Sequence, residues 1–531
     1  MGAYCKLILF LLFVLPNVVW ANVSLNAIFS NHMVVQRETK IPVWGWAEAG
    51  EKITLETTWG EKEETIAKEN GTWKITLKTP KAGGPFKIII TGKNKIVIDD
   101  VLSGEVWLCT GQSNMDFALV KFLNNARESQ YQPLVEVLRK EVANANDDQL
   151  RHIEVPQQTS LLKKQYNFKG AWVSAKGEDV KKITATGYFF AKELRKQLRV
   201  PVGLVECSWG GTRVQPWISE EVYLSDENIK AYFEASRKKT NEIITKVSAE
   251  NYKDTVFAKK FEEWKLGGKK TPRPYPSVHP EKDKQLPATL YNGMLSAIIP
   301  YKIKGILWYQ GESNSHFLEE EYQTYFTAMI KSWRKDWQQS DLPFYWMQLA
   351  GYEVPDKRSD LGWASVNDQL RRTLDLPNTG MAVLHDIGEA KDVHPHNKID
   401  AGKRLALWAL AKDYHKKVKA VSGPLFTSQK IKGNKIQIKF SEVGSGLMVG
   451  YKYLLENTKE VNEDLKWFEI VGADGVWKPA KAKIISKNKV EVWNLNVKKP
   501  IAVRYAWSSN PSGANLYNKE GLPAAVFTSE K

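Results

Sequence analysis

Ser113 and His394 are the two residues of this 531-residue chain best placed by type and context to carry out acyl transfer. Ser113 stands in Gly111-Gln-Ser-Asn-Met115, directly after the apolar run Val106-Trp-Leu-Cys109. A serine hydroxyl is a weak nucleophile until an adjacent base takes its proton. At a helix start its own backbone N–H can also point at a developing oxyanion. The competing reading is that Ser113 or Asn114 only caps that helix, and the pentapeptide by itself leaves the two readings level. His394, in Asp392-Val-His-Pro395, is the candidate base, with Asp392 two residues earlier as a support for its ring and for the imidazolium. His385 and His396 are near neighbours in a chain with 8 histidines. A metal held by His394 and His396 would need a third ligand at suggestive spacing, and none stands out, so neither metal nor cofactor is expected.

Two further motifs carry the remaining polar groups. Cys207-Ser-Trp-Gly-Gly-Thr212 ends a second apolar run, and paired glycines let the backbone approach a ligand closely. Taken alone, a tight turn explains it better. Trp308-Tyr-Gln-Gly-Glu-Ser-Asn314 brings Gln, Glu and Asn to a third strand end. Such groups could orient a substrate or donate to an oxyanion, and loop hydrogen bonding accounts for them equally well.

The elements that must position these residues read as α/β. Strands are predicted at Val106–Cys109, Val202–Cys207, Gly305–Tyr309, Phe344–Leu349 and Met381–His385. Helices are predicted at Tyr188–Leu198, Glu320–Trp337, Trp363–Leu374 and Lys398–Lys416. Alternation of this kind implies a parallel sheet covered by helices on both faces. Ligands of such sheets bind beyond the carboxyl ends of the strands, where all four motifs fall. On either side the pattern turns to β. Trp73, Ile75 and Leu77 alternate with polar residues before the sheet, and Ile501, Val503, Tyr505 and Trp507 after it. The expected organisation is a β region over residues 22–101, a hydrolase-like unit over 102–417 and a second β region over 418–531. Residues 218–284, charged, partly helical and then Pro-rich, read as an insertion or lid that shapes the cleft.

The four motifs, in this order, resemble the SGNH hydrolase superfamily, whose signature blocks supply Ser, Gly, Asn and His. The familiar Gly-x-Ser-x-Gly elbow is absent. More narrowly, the chain is similar to sialate O-acetylesterase-type carbohydrate esterases over nearly its whole length, with Lys398 also part of the pattern. The resemblance implies a three-layer α/β/α core and a deacetylation in which Ser113 attacks the acetyl carbonyl and His394 shuttles the proton. It implies an oxyanion hole of the Ser113 and Gly210 backbone N–H groups and the Asn314 side-chain amide, with Gln112, Gln310 and Glu312 orienting the substrate. One departure concerns the carboxylate. The superfamily usually places its Asp three residues before the His, where this chain has Lys391. Asp392 is the nearest carboxylate, Asp386 is an alternative, and a Ser–His dyad steadied by a backbone carbonyl is another.

Composition sets the surroundings. Lys6, the apolar run Leu7–Leu15 and Val19-Trp-Ala21 have the layout of a secretory signal over residues 1–21, too short to be a stable membrane span of about 20 apolar residues. A secreted or periplasmic protein with no transmembrane span in the mature chain is therefore expected. Cys5 would leave with the signal, and Cys109 and Cys207 read as buried free thiols, since a bridge between adjacent parallel strands would be strained. The 20 tryptophans could stack on sugar faces, although packing in β cores accounts for most of them. The net charge of +16 suits a carboxylate-bearing glycan partner. No nucleic-acid motif accompanies the scattered lysines, so no nucleic-acid partner is expected. The leading function is removal of acetyl groups from 9-O-acetyl sialic acids, with acetylated xylan or pectin as the alternative substrates. Readings of another class are a sugar-binding protein with a silent site and a glycosidase using Glu312 and Asp392.

Overall fold

The computed structural model describes residues 22–268, 274, 276–354 and 357–530. The signal segment expected at 1–21, with Cys5, lies outside these residues. Two strands of the N-terminal region follow the alternation read from the sequence. Lys40–Trp46 and Thr72–Lys78 pair antiparallel, with Ile41 opposite Leu77 and Val43 opposite Ile75. Every second residue of each is buried, as a half-buried pleat requires.

The central sheet contains β1 (Lys95–Gly111), β2 (Asn146–Glu154), β3 (Val173–Lys176), β4 (Val202–Ser208), β5 (Gly305–Tyr309), β6 (Phe344–Met347) and β7 (Thr379–Ala382). Their spatial order is β3-β2-β4-β1-β5-β6-β7. All neighbours pair parallel except β3, which runs antiparallel to β2. The expected wholly parallel sheet is thus a mixed one. Residues 155–172 between β2 and β3 contain no helix, and a strand that returns without a helical crossover comes back antiparallel. β1 is the switch point: the chain builds outward from it through β4 on one side and β5 on the other, which places the cleft at its carboxyl end.

Four longer helices accompany this sheet: α1 (Ala185–Leu198), α2 (Tyr322–Asp336), α3 (Lys357–Arg372) and α4 (Lys398–Lys412). By register, Trp107, Leu307 and Tyr345 share one face of the sheet and Trp308, Phe344 and Trp346 the other. On the first face Trp107 meets Phe190 of α1, and Tyr345 stacks on Trp408 of α4. On the second, Trp308 and Trp346 pack on Phe326 of α2. Trp107, Trp217, Trp308, Trp333 and Trp346 are fully buried, so these tryptophans serve packing rather than sugar stacking. Cys109 and Cys207 are free and buried, as expected.

One apolar core runs from Val23 through the sheet to Ala525, so the N-terminal strands and the α/β unit share their interior. β1 is the reason: its first half pairs antiparallel with Gly83–Thr91 and its second half enters the parallel sheet. The C-terminal β region has a second core around Ile436, Ile438, Val490, Val492 and Leu516. It is tied back to the sheet where Gln348 exchanges hydrogen bonds with the Val526 backbone. Within the expected insertion, helices Glu220–Ser225 and Glu227–Ile244 bury Tyr223, Ile229 and Phe233 in the main core. That part is built into the fold, whereas helix Phe257–Leu266 buries no residue. Among the described residues no helix is long and apolar enough to cross a membrane.

Candidate active site

Gly111 ends β1 with φ +131°, and a Cβ there would lie 2.2 Å from the Tyr309 carbonyl oxygen. Only glycine allows the chain to turn so tightly against β5. Gln112 then runs extended, and Ser113–Asp116 makes a single helical turn. Two threonines at the start of α1 hold this turn: Thr184 donates to the Met115 carbonyl and Thr186 to the Asn114 carbonyl. Ser113 is 8% exposed at the top of this arrangement.

His394 comes from the loop between β7 and α4. Its Nε2 lies 2.8 Å from Ser113 Oγ, within reach for proton transfer. Its ring packs on Phe117 at 4.5 Å between centroids. The loop is shaped by Glu389, whose buried carboxylate accepts from both the backbone N–H and the ring of His396. Asn397 caps α4 by accepting from the Asp400 N–H. His396 is therefore a structural partner of Glu389. No group of three or more His, Cys, Asp or Glu among the described residues could hold a metal ion.

The two candidate carboxylates behave differently. Asp392 Oδ1 lies 3.6 Å from His394 Nδ1, ion-pair distance rather than a hydrogen bond, and accepts from the His394 backbone N–H at 3.0 Å. Its other oxygen meets Arg127 at 3.0 Å. Burial pushes this carboxyl up, but the bonds to His394 and the Arg127 charge outweigh it and hold it below the usual range. Asp386 has both oxygens on the buried guanidinium of Arg404, at 2.6 and 2.8 Å. The alternative support for His394 is thereby committed elsewhere.

The expected oxyanion donors and orienting groups need correction in three places. Asn314 is fully buried, and its amide donates to Gln215 and to the Phe317 carbonyl. Gln310 is also fully buried and donates to Gln112, the Thr212 carbonyl and Asn314, while its oxygen accepts from Tyr322. Gln112 Oε1 accepts from Gln310 and the Ser313 N–H. These three amides lock the ends of β1, β4 and β5 together instead of facing a ligand. Gly210 does lie against Ser113, since a Cβ on it would be 3.3 Å from the Ser113 Cβ. Its N–H, however, donates to Asp116 Oδ2 at 3.0 Å. The Ser113 N–H, first of its turn, has no partner within the turn.

Several contributors escaped the sequence reading. Asp116 holds the Gly210 N–H and also accepts from Gln157. Lys284 donates to the Gly210 carbonyl and Gln285 to the Gly211 carbonyl, so the end of the 218–284 segment braces the glycine turn. Behind the serine, Asn114 joins three elements: its amide donates to Glu312 and to the Val393 carbonyl, and its oxygen accepts from Lys398. Glu312 faces this buried network, and burial raises its pKa against the opposing bond from Asn114. Burial lowers the Lys398 ammonium to about 7 despite the nearby Glu312 and Glu389 charges. The signal for Asn114 and Lys398 was present in the motifs. That for Asp116, Gln157 and Lys284 was not, because their meeting depends on loops far apart in sequence.

A family model described as carbohydrate esterase, sialic acid-specific acetylesterase, matches residues 103–249 and 277–416. Sialate O-acetylesterases of Homo sapiens and Pongo abelii are each 27% identical over 97% of this chain and 95% of their own. The crystal structure of a carbohydrate acetylesterase from Xanthomonas citri is 32% identical, covers 96% of this chain and 100% of its own, and superposes with a TM-score of 0.76. The family match breaks off where helix Phe257–Leu266 projects without a buried residue. With the match running from within β1 through α4, the chain belongs to the sialic acid-specific acetylesterase family of carbohydrate esterases and is a carboxylic ester hydrolase.

Proposed function

We propose that the protein removes O-acetyl groups from sugars, sialic acids foremost, through an acetyl-serine intermediate on Ser113. The observation that carries this reading is the 2.8 Å contact between Ser113 Oγ and His394 Nε2 at the carboxyl end of β1. His394 takes the hydroxyl proton as Oγ attacks the acetyl carbonyl. The tetrahedral intermediate then collapses as the imidazolium returns that proton to the departing sugar hydroxyl. Water, deprotonated by the same nitrogen, attacks the acetyl-serine and releases acetate. Asp392 steadies the imidazolium across 3.6 Å. The Ser113 N–H is the first oxyanion donor, and the Gly210 N–H joins it only when Asp116 turns aside. Each such donor is worth roughly 10² to 10³ in rate. On this reading the central unit is an SGNH-type three-layer core, supported by aromatic helix contacts on both faces of the sheet. An extracytoplasmic location rests on the layout of residues 1–21.

Acetylated xylan or pectin would be cleaved by the same chemistry, and the +16 charge favours glycans that carry carboxylates over neutral xylan. Acetate release from O-acetylated sialic acid, xylan and pectin, by wild type and Ser113→Ala, tests the reading. Release from sialic acid that falls about 10⁴-fold or more in a folded Ser113→Ala protein is expected. Undiminished release by the variant would remove the serine mechanism. Release from xylan or pectin alone would move the substrate.

A further inference from the structure

A groove of about 1220 Å³ lies between α1, α4 and the C-terminal β region, away from Ser113. Lys196, Lys403, Lys419, Lys487 and Lys519 line it, and all five are exposed. Some surface lysines are neutralised, as Lys164 is by Glu221 and Lys435 by Glu491. None of these five has an ion pair among the described residues. Three carboxylates line the groove as well, and one of them, Glu193, accepts from Gln197 on its own helix. Asp400 pairs with Lys452, and Glu520 accepts from the backbone and hydroxyl of Ser445. Seven cationic side chains line the groove, these five with Arg404 and Lys452, against three carboxylates, and the net positive field that results is one an anionic chain would relieve.

The chemistry of the lining narrows the occupant. The groove is lined by no aromatic residue. Single-stranded nucleic acid is held by aromatic stacking as well as by charge, and neutral sugars are gripped largely through their apolar faces on aromatic rings. A lining of lysines without aromatics suits a chain recognised by repeated anionic groups. One helix, α4, joins the groove to the candidate site. Lys398, at the first turn of α4, reaches Asn114 beside Ser113, and Lys403 stands five residues further along the same helix. That is about 7.5 Å along the axis.

We propose that this groove is a docking site for a glycan chain bearing repeated carboxylates, holding the polymer while one of its acetylated residues occupies the Ser113 site. The proposal rests on the deacetylase reading for its choice of a glycan, but its site shares no residue with the catalytic pair. Carboxylates of uronic acids and of sialic acids present the same chemistry to lysine, so both are tested.

The probes are polygalacturonate and polysialic acid, with neutral xylan and a single-stranded DNA as comparisons. Binding is measured by titration at several salt concentrations, for wild type and for the triple variant Lys403→Glu, Lys419→Glu and Lys519→Glu. Wild type is expected to bind at least one carboxylate polymer, with affinity falling steeply as salt rises. The variant, with an unchanged melting temperature, is expected to bind it at least tenfold more weakly. It should hydrolyse 4-nitrophenyl acetate at the wild-type kcat, while KM for the acetylated polymer rises. Which polymer binds identifies the source of the carboxylates. Equal binding by variant and wild type, or groove-dependent binding of DNA or xylan in place of both carboxylate polymers, would overturn the proposal. Either result with intact Ser113-dependent ester hydrolysis would leave the proposed function standing, so the two ideas fail separately.

Discussion

At the scale of single residues, the division of labour among the carboxylates is testable. Asp392→Asn removes the charge facing His394 Nδ1 and leaves the Arg127 side exposed to solvent. A drop of about 10²-fold in kcat with little change in stability is expected, smaller than for a directly bonded triad because the separation is 3.6 Å. Asp386→Asn breaks a buried pair with Arg404, which should cost about 3–5 kcal/mol of stability without a selective loss of activity in the folded protein. Urea denaturation alongside kcat on a small acetate ester separates the two, and a reversed pattern would reassign the supporting carboxylate. Lys398 gives a pH signature. Its folded pKa is depressed by burial to about 7, so above pH 7 the unfolded chain binds the proton that the folded one has released. Stability from this group therefore rises from about pH 7 up to the lysine's ordinary value near 10.5, by at most about 1.4 kcal/mol per pH unit. Lys398→Met should flatten the slope of unfolding free energy against pH across that window. An identical slope in both proteins would contradict the buried, proton-releasing lysine.

The elements show which parts of this were legible in the sequence. Strands with near-continuous apolar runs, such as β4 and β5, and helices that open on clear signals, such as α4 after Asn397, stand where the residue pattern predicts them. β2 was invisible because it opens Asn146-Asp-Asp-Gln, polar residues at a sheet end. β3 reversed direction for want of a crossover helix. The pairing of Ser113 with His394 was readable, because each follows a strand that ends on the same side of the sheet. The roles of Asn314 as an oxyanion donor and of Gln310 as an orienting group were misread for a physical reason: a motif names amide groups but not their partners, and in the fold Asn314 and Gln310 are spent on each other and on neighbouring loops. Gly111 is the element-scale position with least tolerance. Its positive φ and the 2.2 Å approach of a Cβ to the Tyr309 oxygen predict that Gly111→Ala loses at least about 3 kcal/mol or fails to fold. Circular dichroism and urea melts of the purified variant check this, and wild-type stability would mean the turn has more room than this backbone shows.

For the whole molecule, the C-terminal β region belongs to the structural frame of the hydrolase unit. Gln348 exchanges hydrogen bonds with Val526, His385 meets the Ala524 carbonyl, and Asp368 accepts from the Thr528 N–H. A chain truncated after residue 418 loses all of these and uncovers the β6–β7 edge. It is expected to lack a cooperative thermal transition and to lose ester hydrolysis. A soluble truncated protein with wild-type turnover would show instead that the region is an appendage. At the other end, β1 runs unbroken for 17 residues from the N-terminal strands to the glycine before Gln112. A hinge needs a few residues free to change their backbone angles, and here the border between the two regions is strand, hydrogen-bonded on both sides. The N-terminal region therefore cannot swing like a jaw over Ser113. Glycan entry and product escape must be governed by local loop motion around a stationary nucleophile, with the relative placement of the two regions the same in the empty and the loaded enzyme.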